Sequence, residues 1–429
     1  PPIQNYIRKE ATAYASQATG MQINVERIRL RFPLRLAVSG VELVQAPDTL
    51  LTLESLSASV QLLPLFKGRA ELDDLTLRGA KVNTANLIEG MQLSGVLGRF
   101  SLQSNGVDLT HQIAIINNAE LSDTYLHLLL NDTIESVKDS ASAPINWKAS
   151  LQKMKLQNVS FNMEIPADTM WMAARIGEAT INNVEADLRN QFYGLEQLLI
   201  SGTSLNYDTG TAAPVKGFDT SHMALRDIRL GIDSVSYRGM NMHAVIRELS
   251  MNERSGLSIT SLAGSVHMDS IQIHVPELKL LTPHSELNLK AQAYWDMTSL
   301  EDDRVVAGIE GRLGKQDIIL FAGALPEAFK RSYPAHPLAI QLSAKGNMNR
   351  IDISRLSANL PGAFTLTGGG QIENVLDSLN RTGTLDMQMR TQNLNFLTTL
   401  SGTPNDGSLV IPSNIVMALK AGMRGPQYN

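Results

Sequence analysis

The chain has 429 residues, of which 43% are hydrophobic and only 5% aromatic, and its formal net charge is −5. This composition predicts a folded protein of two or three compact domains, or one elongated array. There is no basic patch and no stripe of basic and aromatic residues, so we expect no nucleic-acid partner. The lack of cysteine excludes a disulfide scaffold, a thiolate metal site and a cysteine nucleophile.

Residues 1–20 predict a short N-terminal amphipathic helix. Helical spacing relates Ile3, Tyr6, Ile7, Ala11 and Tyr14, and Gly20 ends the pattern. We predict that Ile3, Ile7 and Tyr14 face the end of a groove, either as a simple cap or as an entry ramp. The chain begins with Pro1-Pro2, so we expect a segment of a longer protein, and its longest nearly apolar run, 318–325, is too short to span a membrane.

Strand patterns begin directly after this helix. Residues 28–38 alternate, with Ile28, Leu30, Phe32, Leu34, Leu36 and Val38 on one face and Arg29, Arg31 and Arg35 on the other. Pro33 within this run predicts an edge strand or a bend. Residues 51–82 continue the one-sided pattern, and Leu53, Leu56, Val60, Leu62, Leu75 and Leu77 complete our set of candidate groove-lining residues.

The remainder of the chain predicts short antiparallel strands up to its end. Helices are predicted only at 84–91, 126–139 and 325–332, and loops near 130–146, 208–220, 296–304 and 322–337. The same strand pattern resumes after each loop. We therefore predict a helix at 1–20 followed by one continuous β-segment over 21–429.

Residues that could carry chemistry are scattered. The chain has eight histidines, and the closest pair, His267 and His274, is expected on opposite faces of a strand because seven residues separate them. The acidic group at 296–303 lacks the pattern of a calcium loop and is interpreted as a solvated turn. The 17 methionines fit either core filling or an adaptable apolar surface. We predict no enzyme and no catalytic, cofactor or metal residues.

One-sided strands with few covering helices leave two architectures open. The sheet could fold onto itself as a sandwich, or it could bend into a trough that holds an apolar ligand. The residues alone leave both architectures open.

Several segments resemble the AsmA-like and TamB-like envelope proteins. Residues 18–45 match the opening of that family at Thr19-Gly20, Phe32-Pro33, Leu36, Val38, Val41 and Leu43. Residues 51–82 resemble the next element of the family, a strand, an LLPL corner, a glycine turn and a strand pair. Residues 251–266 and 278–296 are similar to the long TamB-like proteins of Bacteroidota.

The resemblance implies the trough, and we therefore predict an all-β fold in which an elongated, curved antiparallel sheet forms an apolar-lined groove. It also implies that this groove lies in the periplasm of a Gram-negative bacterium, anchored in the inner membrane and reaching toward the outer membrane. The implied function is to bind and conduct phospholipid acyl chains between the two membranes. The implied alternative is a scaffold or chaperone for outer-membrane β-barrels, with a partner barrel of the Omp85 class (TamA-like or BamA-like). The family's membrane anchor and its conserved C-terminal domain are expected outside this segment.

Overall fold

The protein is described from a computed structural model, which divides into two compact units. Unit 1 comprises residues 1–213 and 221–239, and unit 2 comprises residues 214–220 and 240–429. The structure describes residues 21–31, 35–45, 48–60, 70–85, 90–108, 111–131, 146–296, 304–347, 349–375, 379–401, 411–425 and 427–428, together with Lys9, Thr12, Ala13, Ser16, Leu87 and Asp377.

In unit 1, ten strands form a sheet in which each strand pairs with the next along the chain. They are β1 (Gln22–Arg31), β2 (Arg35–Gln45), β3 (Asp48–Val60), β4 (Ala70–Asn83), β5 (Met91–Asp108), β6 (Ile113–Leu130), β7 (Lys148–Ile165), β8 (Met170–Asp187), β9 (Phe192–Asp208) and β10 (His222–Arg238). All pairs are antiparallel except β6 and β7, which are parallel. Parallel neighbours require a crossover rather than a tight turn. Residues 132–145, between these two strands, lie outside the described residues.

In unit 2, the strands again pair in chain order, and every pair is antiparallel. They are β11 (Asn241–Glu253), β12 (Ser258–Met268), β13 (Gln272–Leu281), β14 (Glu286–Tyr294), β15 (Val305–Leu313), β16 (Leu338–Gly346), β17 (Arg350–Leu360), β18 (Phe364–Glu373), β19 (Thr382–Thr391), β20 (Val416–Arg424) and β21 (Gln427–Tyr428). The loops carry α1 (Lys315–Phe321), α2 (Glu327–Ser332) and a 3₁₀ turn at Asn395–Ser401, and a second 3₁₀ turn, Pro166–Asp168, lies in unit 1.

The predicted all-β fold class is confirmed, with antiparallel neighbours in each unit. The predicted loops at 208–220 and 322–337 separate β9 from β10 and β15 from β16, whereas those near 130–146 and 296–304 lie largely outside the described residues. The continuity of one groove over 21–429 stays a prediction. No helix in the described part of the chain is both long enough and apolar enough to cross a membrane.

The predicted helices have three different outcomes. The helix at 325–332 is confirmed by α2. The helix at 126–139 is wrong where the structure describes it, because Leu126–Leu130 form the end of β6. At 84–91, the described residues form a turn in which Leu87 N donates to Thr84 O (2.9 Å), and Met91 begins β5. The strands of unit 1 are also longer than expected, with six of them reaching 17 or 18 residues.

The run around Pro33 is a hairpin rather than one long strand. β1 ends at Arg31 and β2 begins at Arg35, and Phe32, Pro33 and Leu34 lie outside the described residues. Across the hairpin, Leu30 pairs with Leu36. These two leucines therefore lie on one face, as the alternation predicted.

A break in the alternation recurs at the same level of β2 to β10, and we call it the polar seam. At this level, two consecutive residues separate apolar positions that are three residues apart instead of two. The seam consists of Ser39-Gly40, Glu54-Ser55, Arg78-Gly79, Gly98-Arg99, Ser122-Asp123, Gln157-Asn158, Gly177-Glu178, Ser201-Gly202 and Arg226-Asp227.

The backbone of the polar seam explains how the sheet keeps one apolar face through this break. Six seam residues have a left-handed backbone: Gly40, Gly79, Asp123, Asn158, Gly202 and Asp227. A left-handed residue in a strand shifts the phase of the side chains, so the apolar residues on both sides of it stay on one face. Asn158 Nδ2 also donates to Asp123 Oδ1 (2.7 Å), which joins the seam across the parallel strands.

Candidate functional site

The candidate site is the apolar face of unit 1, which rows of directly paired side chains define. One row reads Ile28, Val38, Leu56, Leu77, Phe100, Leu121, Leu156, Ala179, Ile200 and Leu230 from β1 to β10. A second reads Leu30, Leu36, Ala58, Leu75, Leu102, Ala119, Met154, Ile181, Leu198 and Ile232. Directly opposite side chains on one face lie about 5 Å apart, so each row is a continuous apolar strip.

The opposite face is polar. The row between these two strips reads Arg29, Ala37, Ser57, Thr76, Ser101, Glu120, Lys155, Thr180, Leu199 and Gly231. Unit 1 is thus a sheet with one apolar and one polar surface. The alternation of apolar and polar residues along the sequence predicts this form.

The apolar face is only half-buried. Strands of unit 1 contact mainly their neighbours in the sheet, with no second layer among the described elements. Small side chains such as Ala80 and Ala179 are buried because larger neighbours cover them. Leu121, Leu156 and Leu198 remain half-exposed. An apolar surface of this extent is uncommon on a soluble protein unless it binds something.

Two threonines interrupt the apolar face without making it polar. Thr124 and Thr203 are both buried. Thr124 Oγ1 donates to Ser122 O (3.0 Å), and Thr203 Oγ1 donates to Ser201 O (3.3 Å), so each hydroxyl is satisfied by the backbone of the polar seam. The hydrogen bonds remove the cost of placing these hydroxyls beside hydrocarbon.

One border of the apolar face is rich in methionine. Met163 pairs with Met172, which pairs with Tyr207, which pairs with Met223. Unbranched, polarisable side chains adapt to ligands of irregular shape. Of the two interpretations that the sequence left open for methionine, this placement favours an adaptable surface here.

The predicted groove residues mostly share this face. The structure places Ile28, Leu30, Leu36, Val38, Leu53, Leu56, Leu75 and Leu77 on it through the pairing of β1 to β4. Val60 ends β3 and pairs with Leu72. Phe32, Leu34 and Leu62 lie outside the described residues. Sequence reasoning missed the contributions of β5 to β10, although the same three-residue spacing marks the seam in each of those strands.

The N-terminal helix is described at Lys9, Thr12, Ala13 and Ser16, which are helical. Ile23 N donates to Ser16 Oγ (3.0 Å). These helical residues line a cleft of about 1060 Å³ together with residues of β1 to β4 that include both Asn24 and Glu42 and the apolar Val41 and Leu53. The described part of the helix therefore lies beside the first strands, whereas Ile3, Ile7 and Tyr14 lie outside the described residues, and their role stays a prediction.

Unit 2 contains a small hydrophobic core, which we call the cap. α1, α2 and the 3₁₀ turn at Asn395–Ser401 form it over the ends of β16 to β19. Its buried members are Phe329, Tyr333, Leu360, Ala363, Leu394 and Phe396, and partly buried neighbours include Leu338, Phe364 and Met389. The rings of Phe329, Tyr333 and Phe396 lie 5.5–5.8 Å apart, within the range of favourable aromatic contacts. Burial raises the pKa of the Tyr333 phenol.

The expected separation of His267 and His274 is wrong. A turn at 269–271 places the two residues on neighbouring strands, directly opposite each other, and His243 pairs with His267 on the other side. Three histidines thus form a row on one face of the sheet in unit 2. Partial desolvation and then the nearby His243 and His274 hold the pKa of His267 below its usual range.

Comparison with known proteins adds no relative to this description. No protein-family model matches the chain. No curated protein matches it either. The class that the fold and the site define is an all-β protein in which the extended sheet of unit 1 carries one apolar and one polar face.

Proposed function

We propose that the apolar face of unit 1 binds the acyl chains of phospholipids. The observation that carries the proposal is the half-exposed apolar surface that continues through all ten strands. Each CH₂ group removed from water contributes about 0.8 kcal/mol, so an acyl chain binds such a strip without a specific polar contact.

The form of the site also supports lipid more than a compact metabolite. Its rows run across the strands, and ten strands at about 4.8 Å spacing give a strip roughly 45 Å long. The side chains along it are aliphatic, with few aromatic rings and no buried polar group left unpaired at Thr124 or Thr203. A long, uniform apolar strip fits a flexible chain and allows it to slide.

In the cell, the protein conducts phospholipid across the periplasm of a Gram-negative bacterium. This part of the proposal comes from the resemblance to AsmA-like and TamB-like proteins, and so do the inner-membrane anchor and the Omp85-class partner. The scaffold role in β-barrel assembly and the lack of enzymatic activity stay predictions.

The proposal predicts that the purified protein carries phospholipid. The chain is to be produced in a Gram-negative host, extracted in a mild detergent and analysed by mass spectrometry. We expect at least about one phospholipid per chain, because a strip of this length accommodates a complete acyl chain of about 20 Å. A soluble protein of similar size, purified in parallel, is the control. Phospholipid no more abundant than in that control would contradict the proposal.

A further inference from the structure

Three histidines on adjacent strands form a row in unit 2. His243 in β11 pairs with His267 in β12, which pairs with His274 in β13. The ring centroids of His243 and His267 are 4.4 Å apart, and those of His267 and His274 are 6.5 Å apart. His267 is exposed, and the other two are half-exposed. The row is therefore accessible from solvent.

The first two rings direct the same nitrogen toward each other. His243 Nδ1 and His267 Nδ1 are 2.9 Å apart. When both rings are neutral, one of these nitrogens donates a hydrogen bond and the other accepts it. This hydrogen bond restricts the rotation of the two rings relative to each other. The backbone register fixes this approach, because directly opposite residues of an antiparallel pair keep their Cβ atoms about 5 Å apart.

The separation matches that of two neighbouring ligands of one metal ion. Two nitrogens at about 2.05 Å from an ion, at an angle of about 90°, lie about 2.9 Å apart. Such angles are typical of the tetragonal geometry that Cu²⁺ and Ni²⁺ prefer with imidazole ligands. When an ion binds, the ring that carries its proton on Nδ1 changes, by proton exchange with water, to the tautomer protonated on Nε2, and each ring then coordinates through its Nδ1 lone pair.

We propose that His243 and His267 form a two-ligand site for a divalent transition-metal ion, Cu²⁺ or Ni²⁺, with water completing the coordination. Among the described residues, no group of three or more His, Cys, Asp and Glu side chains is arranged to hold a metal ion. The protein thus supplies two ligands, and the ion remains open to solvent. A bound ion joins β11 to β12.

Calorimetric titration with NiCl₂ and CuSO₄ tests the site, on protein purified without a histidine tag. We expect one ion per chain, bound at least tenfold more weakly by His243→Gln and by His267→Gln. The control is His336→Gln, which removes an exposed histidine from the loop before β16. Its binding is expected to equal that of the unmodified protein.

A thermal melt provides the second readout. Ni²⁺ or Cu²⁺ is expected to raise the Tm of the unmodified protein and of His336→Gln, because an ion that binds only the folded state stabilises it. The Tm of the two site variants is expected not to rise. Equal binding in all four proteins, or no binding by the unmodified protein beyond that of the site variants, would overturn the proposal.

Discussion

Replacing Leu156 and Phe161 together by aspartate is expected to reduce phospholipid binding by at least tenfold, with the fold retained. Both side chains belong to β7 and lie on the apolar face, where Leu156 pairs with Leu121 and Phe161 pairs with Leu126. An acyl chain that binds here would desolvate two carboxylates, at a cost of several kcal/mol, and about 1.4 kcal/mol is enough for a tenfold loss. Because both side chains are half-exposed without ligand, water still hydrates the carboxylates in the free protein.

The matched control changes the neighbouring residues of the same strand. Gln157→Asp together with Ser160→Asp adds the same charge to the polar face, and lipid binding is expected to stay within twofold of the unmodified protein. A fluorescent phospholipid titration measures both variants. Equal binding by the two would contradict the assignment of the apolar face. Failure of β-barrel assembly with intact lipid binding would instead favour the scaffold function.

Truncating Leu360 to alanine is expected to lower the free energy of unfolding by about 2–5 kcal/mol. Leu360 is 1% exposed and lies in the core of the cap, beside Ala363, which is fully buried. The cap holds the largest cluster of buried side chains in the described part of unit 2, so the lost contacts and the cavity are not offset elsewhere.

Leu379→Ala is the matched control. Leu379 lies in a turn and is 76% exposed, and the substitution removes the same atoms as Leu360→Ala. Its expected cost is within about 0.5 kcal/mol. Urea unfolding of both variants, combined with hydrogen exchange of the β17 and β18 amides, gives the comparison. If the two truncations cost the same, the cap is not a stabilising core.

The sequence predicted the fold class because strands with one solvated face alternate strictly. Leu30 and Leu36 occupy the predicted face even though a hairpin separates them. The apolar face continues through the polar seam, because Leu53 and Leu56 stay on one face although Glu54-Ser55 interrupts the alternation between them. The seam itself was missed, because left-handed residues such as Asp123 and Asn158 carry no signal as strong as glycine.

Pairing between strands was harder to predict than the strands themselves. His267 and His274 were treated as parts of one strand, although the turn between them reverses the chain. The parallel pairing of β6 and β7 depends on a crossover whose course no local pattern indicates. Leu126–Leu130 resembled a helix because short leucine-rich runs satisfy both periodicities.

Photocrosslinking at two adjacent leucines tests the central claim most directly. Leu198 pairs with Ile181 on the apolar face, whereas Leu199 pairs with Thr180 on the polar face. A photoreactive phenylalanine analogue at position 198 is expected to capture phospholipid in the producing cell, and the same analogue at position 199 is expected to capture none. Capture at 199 equal to that at 198, or capture at neither position, would contradict the account that the apolar face binds acyl chains.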